Sequence, residues 1–311
     1  MTHLALVGPT ASGKSALALA LARCLPGPPV ELVSIDSMQV YRGMDVGTAK
    51  PTPAEQAEIP HHLIDLADPS EDFTVTRFQA AFAEALAGIE ARGHRALLVG
   101  GTGLYLRAVV DDLSPPGQWP DVRSQLEAEA AADPDPASLH RRLRELDPVA
   151  AGRMEPTNRR RAMRALEVTI GSGRPFSSFG PGLDVHAGSG PATRFRMAGI
   201  WLPRPVVAAR IEARVHAMVA GGLVEEVERL AARPEGLSRT ARQALGYKEL
   251  LDGLSLDDAV AETIRRTRAF SRRQRMWFRR DPRITWFGAA DNPFAVLPSL
   301  LGDWGRCPSS P

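Results

Sequence analysis

Near the start of the chain stands Leu4-Ala5-Leu6-Val7-Gly8-Pro9-Thr10-Ala11-Ser12-Gly13-Lys14-Ser15, and its reading decides the fold class. From Gly8 the order is glycine, four residues, glycine, lysine, serine, the spacing of a phosphate-binding loop. The context fits. Leu4 to Val7 is a short apolar strand, and Lys14 to Leu25 reads as an alanine- and leucine-rich helix that Pro26 to Pro29 ends. Glycines let the backbone turn so that several N–H groups point inward. The helix N-terminus adds partial positive charge and Lys14 a full one. Gly8, Pro9, Thr10, Ala11, Ser12, Gly13, Lys14 and Ser15 are therefore the expected phosphate-binding residues, with the Ser15 hydroxyl placed to ligate Mg2+.

Outward from the loop the same unit recurs. Val30 to Ile35 is a second buried strand ending at Asp36. Phe73 to Arg92 is helical, with Phe78, Phe82, Leu86 and Ile89 at three- and four-residue spacing. Ala96 to Val99 is a third strand, followed by Gly100-Gly101-Thr102-Gly103 and a helix through Val110. Strand, loop and helix repeated predict an α/β fold, a parallel sheet core flanked by helices. The pattern then breaks. Leu113 to Pro120 is a proline-rich linker, and Val122 to Ile170 reads as helices only, interrupted at Asp133-Pro134 and Asp147-Pro148. Residues 171–193 are rich in Gly, Ser and Pro, which predicts a mobile segment. Arg194 to Leu202 returns as a strand. Pro205 to Ala232 is amphipathic, with Ile211, Val215, Met218 and Val227 on one stripe. A long helix from Leu256 to Arg280 and a last strand from Ile284 to Phe287 follow, and the end from Gly302 is expected to be disordered. The expected organisation is a first core part at 1–115, an all-helical insertion at 116–193, a second core part at 194–290 and a tail at 291–311.

With 44% hydrophobic and 24% charged residues in 311, the composition is globular. No apolar run can span a bilayer and no secretory signal is present, so a soluble, cytoplasmic protein is expected; separately, a monomer is expected. Cys24 and Cys307 have no partners at metal-ligand spacing, and Cys24, with Leu21 and Leu25, is expected in the core. His61-His62 invites a metal reading, but adjacent strand residues face opposite ways, so a structural role is expected. Net charge is +2, yet Arg265 to Arg283 holds nine arginines against Asp281, and Arg153 to Arg174 six against Glu155 and Glu167. Separated basic blocks on an otherwise acidic chain point to a polyanionic partner, the plainer alternative being solvated helix faces. Lysine occurs only at Lys14, Lys50 and Lys248, a hint that the ammonium itself matters there.

The loop alone does not say what carries the phosphates. The Asn-Lys-x-Asp guanine reader of a GTPase is absent. Val33-Ser34-Ile35-Asp36 could serve as a metal-binding strand end, but Ser37-Met38-Gln39-Val40-Tyr41 follows, a polar run that looks more like a substrate pocket. Gly8–Ser15, Asp36–Tyr41, Gly47-Thr48-Ala49-Lys50-Pro51, Pro60-His61-His62-Leu63-Ile64-Asp65, Gly100–Tyr105, Arg164-Ala165-Leu166-Glu167, Arg242-Gln243-Ala244-Leu245-Gly246-Tyr247 and Arg273-Gln274 occur in this order. Together they resemble the bacterial tRNA dimethylallyltransferases, also called tRNA isopentenyltransferases, over about residues 4–287.

That family moves a dimethylallyl group from dimethylallyl diphosphate to N6 of adenosine 37, beside the anticodon. The resemblance implies roles here. An adenine amino group is a poor nucleophile, and a carboxylate that takes its proton is worth roughly 10²–10⁴-fold. Asp36 is the candidate, with Mg2+ ligation or loop capping as its other reading. Lys14, the loop amides and Mg2+ on Ser15 would receive the departing diphosphate, and Thr102 and Arg214 are carried over from the family as the remaining catalytic residues. Arg210, one turn before Arg214, is expected to point into the same site. Asp36, Ser37, Met38, Gln39 and Thr102 would meet the flipped base. Arg123, Arg160, Arg161, Arg164, Arg242, Gln243 and Tyr247 would contact the anticodon stem-loop. Met276 stands where the family has threonine before Trp277-Phe278-Arg279. The residues of the zinc finger that eukaryotic relatives add are missing. A P-loop small-molecule or nucleotide kinase is the alternative, and an RNA-binding module with a vestigial loop a third.

Overall fold

The computed structural model describes residues 2–180 and 194–305. Six parallel strands, β1 (His3–Val7), β2 (Val30–Ser34), β3 (His61–His62), β4 (Arg95–Gly100), β5 (Phe195–Trp201) and β6 (Ile284–Gly288), form one sheet in the order β3-β2-β4-β1-β5-β6. The expected α/β class is what the chain adopts. β1 lies inside the sheet, with Val7 paired to Gly100 of β4 and to Gly199 of β5, so the loop after β1 is flanked by two other strand ends.

Alternation along the strands sorts their side chains into two cores. Ala5, Val7, Val33, Ile35, Ala96 and Leu98 face one side, under α3 (Val75–Ala91) with its Phe78, Phe82, Leu86 and Ile89. Leu4, Leu6, Leu32, Leu97 and Ile200 face the other, under α1 (Lys14–Cys24) and a helix later in the chain that carries Val207, Ile211 and Val215. Each such fully buried aliphatic or aromatic side chain contributes roughly 1.5–3 kcal/mol. α2 (Pro53–Glu58) begins with a capping box between Thr52 and Glu55, and Thr74 caps α3 through Arg77 N–H. α4 (Gly103–Val110) follows β4.

The contacts divide the chain into two compact units, one of residues up to Asp111 together with the described residues from 194, the other from Asp112 to the described residue 180. The second unit is helical: α5 (Pro120–Ala132), α6 (Ser138–Leu146), α7 (Pro148–Gly152) and α8 (Arg159–Ser172) enclose Leu126, Leu139, Leu143, Ala162 and Leu166. Asp147 starts α7, accepting Ala150 N–H (2.9 Å) and Ser177 N–H (2.7 Å). A short 3-10 turn at Phe176–Phe179 occupies part of the stretch expected to be mobile, whose remainder from 181 lies outside the described residues.

In the first unit the amphipathic stretch is two helices, α9 (Arg204–Ala220) and α10 (Leu223–Ala231), because Gly222 takes φ +96° between them. Ile211, Val215 and Val227 are buried as their stripe predicts. α11 (Tyr247–Leu251) and α12 (Leu256–Phe278) follow, the latter capped by Ser255.

Two expectations fail. The tail is not one: α13 (Leu297–Trp304) buries Leu300 and Trp304 in the core that α1 covers, so Gly302 is helical. Of the expected tail, residues 306–311, Cys307 among them, lie outside the described residues. Cys24 is exposed, because α1 turns Leu17, Ala18 and Leu21 to the sheet and ends with Cys24 outward. Among the described residues no helix is long and apolar enough to cross a membrane.

Candidate active site

The site forms where β1, β2 and β4 end side by side, at the carboxyl edge of the parallel sheet. After β1, a side chain at Gly8 would be tight: a Cβ there would lie 3.0 Å from Ser12 Oγ and 3.2 Å from the Ile200 carbonyl. Gly13, at φ +84°, opens α1 in the left-handed region. Lys14 Nζ donates back to the Pro9 carbonyl (3.4 Å), and Ser12 Oγ is buried with no hydrogen-bond partner among the described residues. Ser15 stands exposed on the first turn of α1.

Arg214 of α9 reaches the same loop, its Nη1 donating to Thr10 Oγ1 (3.5 Å). Burial, then the charge of Arg214, push the Lys14 ammonium down to about 8, with Asp36 pulling the other way. Burial likewise pushes Arg214 below its ordinary value, again against Asp36. Two crowded cations at a helix N-terminus, with one carboxylate nearby, leave positive charge for an anion to neutralise. Arg210, one turn earlier on α9, meets the same loop: its Nε donates to the Ala11 carbonyl (2.9 Å), bracing the loop's backbone.

After β2, Asp36 Oδ1 accepts Met38 N–H (2.9 Å), while Oδ2 has no donor among the described residues. After β4, Thr102 Oγ1 accepts Ser37 N–H (3.1 Å) and lies 3.4 Å from Ser37 Oγ as its donor. Asp36, Ser37 and Thr102 thus form one group. Gln39 does not present a free edge: its Oε1 accepts the Ser34 hydroxyl (2.7 Å) and its Nε2 reaches the Thr48 and Ala49 carbonyls (3.2 Å each). Here it fastens a loop. Met38 is partly buried against the core.

Three residues expected to contact RNA make other contacts. Tyr247 is fully buried, its hydroxyl on Glu226, and has no surface to offer RNA. Arg164 is committed to Glu167 (2.6 Å) and to the Pro116 and Gly117 carbonyls, and Arg123 to Glu127 (2.7 Å), with Glu167 3.7 Å away. The Lys50 ammonium does matter, in a structural role: its side chain is 3% exposed, and it is held by Asp45, Asp65 and the Tyr41 carbonyl. Arg160, Arg161, Arg242 and Gln243 are exposed, as contact residues must be. His61 and His62 bond the Ile59 carbonyl (2.7 Å) and Glu31 (2.6 Å), the structural role expected.

Sequence reasoning missed Gln274 and Trp277 of α12. Gln274 Oε1 accepts Thr10 N–H (2.8 Å) and its Nε2 donates to the Gly101 carbonyl (2.9 Å). A Cβ at Gly101 would meet that Nε2 at 2.2 Å, and one at Gly103 would meet the Trp277 indole at 2.1 Å. The two glycines facing a glutamine and a tryptophan three apart on one helix were the available signal. The basic block on α12 is partly spent: Arg265 and Arg266 pair with Glu262, Arg268 with Glu212, and Arg283 beyond the helix with Asp111 and Asp281.

Among the described residues no group of three or more His, Cys, Asp and Glu side chains could hold a metal by itself. The exposed Ser15 hydroxyl beside an anion cradle suits instead a hard cation whose other ligands come from phosphate and water.

A glycine-rich loop with Lys14 and Arg214 beside Asp36, at the carboxyl edge of a parallel sheet, defines the class as a P-loop-type α/β protein. Known proteins narrow the class. Residues 39–281 match the family model described as IPP transferase, and residues 1–67 one described as isopentenyl transferase. A tRNA dimethylallyltransferase of Kineococcus radiotolerans is 50% identical over 295 residues, covering 93% of this chain and 91% of its own. The solved tRNA isopentenylpyrophosphate transferase of Bacillus halodurans is similar at a TM-score of 0.68 and 38% identity, over 97% and 95% of the two chains. A eukaryotic dimethylallyltransferase solved acting on tRNA is similar at 0.72 and 26%, over 93% and 74%. The chain belongs to the IPP transferase family and is a prenyltransferase, which sets aside the kinase alternative.

Proposed function

We propose that the protein transfers the dimethylallyl group of dimethylallyl diphosphate to N6 of adenosine 37 in tRNA, beside the anticodon, and releases diphosphate. One observation carries this: the Lys14–Arg214–Thr10 cradle ends one strand from Asp36, whose Oδ2 has no protein donor among the described residues. The cradle holds the leaving group and the carboxylate faces the nucleophile.

In the reaction the N6 lone pair forms a bond to C1 of the allyl group as the C1–O bond breaks. The electron pair of that bond leaves on diphosphate, and the N6 proton passes to Asp36 Oδ2. Met38 N–H fixes the other carboxylate oxygen and so aims the accepting one. Lys14, Arg214 and the amides at the start of α1 stabilise the charge that develops on the leaving oxygens. Mg2+ on Ser15 would supply further neutralisation of the diphosphate. Ser37 and Thr102 line the approach of the base. The anticodon stem-loop is the proposed polyanionic partner, met by Arg160 and Arg161 of the helical unit and by Arg242 and Gln243, with the protein acting as a monomer.

Incubation with tRNA, dimethylallyl diphosphate and Mg2+, followed by mass spectrometry of the nucleosides, tests the reading. The expected product is an adenosine at position 37 carrying one added five-carbon unit. Unmodified tRNA, together with ATP consumption on a small acceptor, would overturn it.

A further inference from the structure

Ala11 stands in the phosphate loop at φ +61°, in the left-handed region, 8% exposed. A residue with a Cβ is disfavoured there and stays only where its surroundings over-determine the conformation. Two long side chains from different helices supply that constraint. On one side of Ala11, the N–H of Thr10 donates to Gln274 Oε1 of α12 (2.8 Å). On the other, the Ala11 carbonyl accepts Arg210 Nε of α9 (2.9 Å). Gln274 is itself buried on a strongly basic helix, where a polar side chain needs partners for both ends of its amide. Its second end takes the Gly101 carbonyl (2.9 Å), next to Thr102, and a Cβ at Gly101 would displace the Gln274 amide.

We propose that Gln274 and Arg210 are positioning residues that clamp Ala11 in its left-handed conformation and so hold the loop amides ready for a diphosphate. Gln274 in addition ties this loop to the one bearing Thr102, so that the two walls of the pocket keep one spacing. The proposal rests on the reading of Gly8–Ser15 as a diphosphate site.

The test uses the full chain with Gln274→Met, which keeps side-chain volume and removes both hydrogen bonds, and with Arg210→Ala at an exposed position. Each is combined with Ala11→Gly, since glycine adopts φ +61° without strain. Binding of inorganic pyrophosphate with Mg2+ is measured by calorimetry, alongside thermal unfolding. Each single clamp variant is expected to bind about 10-fold more weakly while still unfolding cooperatively, because each removes its hydrogen bond to the loop backbone beside Ala11. Ala11→Gly is expected to recover roughly 5-fold in either background, because glycine no longer needs the clamp. A general folding defect would not be repaired by that change. Undiminished binding by both clamp variants, or no recovery by glycine, overturns the clamp. A wild-type protein that binds no pyrophosphate defeats the diphosphate reading itself, and the clamp with it.

Discussion

The Tyr247 hydroxyl donates to Glu226, and the same carboxylate accepts the backbone N–H groups of Asp45 and Val46 (2.9 Å each) and of Gly47 (3.1 Å). Glu226 is 3% exposed and Tyr247 fully buried, so four donors replace water around one buried charge. A Cβ on Gly47 would lie 2.3 Å from the Tyr247 ring, which explains the glycine. The turn at 45–47, α10 and α11 are fastened at this point.

Tyr247→Phe should therefore cost about 1–3 kcal/mol of stability through the lost bond to a charged acceptor. Glu226→Gln should cost more, because the amide nitrogen takes the place of one carboxylate oxygen and meets either the Gly47 N–H or those of Asp45 and Val46. Urea unfolding measures both. Filter binding at a fixed folded fraction should show tRNA affinity unchanged in Tyr247→Phe. A weakened complex at full stability would restore Tyr247 as an RNA contact.

Which residues belong together was legible, and which way their polar ends point was not. The phosphate loop, the parallel sheet and the buried stripe on α3 follow from local spacing, since each is a property of neighbours along the chain. Tyr247 and Gln274 sit in motifs equally well read, yet their partners lie 21 and 264 residues away. A motif names the side chain and omits the atom it meets. Arg164 reads as an RNA contact until Glu167 and two carbonyls are seen to occupy its guanidinium. Cys24 was misplaced for a simpler reason: it is the last residue of α1, where the buried face has already turned away.

Asp36→Asn keeps an oxygen for Met38 N–H and removes the base. Single-turnover rate should fall about 10²–10⁴-fold. Pyrophosphate and tRNA affinities, measured separately, should change little. Near-wild-type turnover would assign Asp36 to the loop or to the metal.

The arginines of the helical unit should separate by what they touch. Arg160 and Arg161 are exposed, and each change to alanine should weaken tRNA binding and lower the slope of log affinity against log salt by about 1. Arg164→Ala should act through folding, because it leaves the buried Glu167 short of a partner. Salt titrations of binding and thermal melts of all three variants distinguish the two behaviours. An unchanged melt with a reduced salt slope for Arg164→Ala would return it to the contact set.

The Lys14 ammonium, pushed down to about 8 by burial and by Arg214, makes anion binding depend on pH above neutrality. A diphosphate favours the charged lysine, so affinity should be full below pH 8 and decline as pH rises through it. For folding the sign is opposite. The unfolded lysine keeps its proton to about 10.4, so between 8 and 10.4 the unfolded state binds more protons and stability from this group rises with pH. The charged form is therefore an internal cost that the ligand relieves. Lys14→Met should melt no lower than wild type while losing transfer activity, and Lys14→Arg should abolish the decline in pyrophosphate affinity between pH 7 and 9 whatever its absolute value. Pyrophosphate titrations across that range measure it, and a decline that persists in Lys14→Arg would move the titrating group elsewhere.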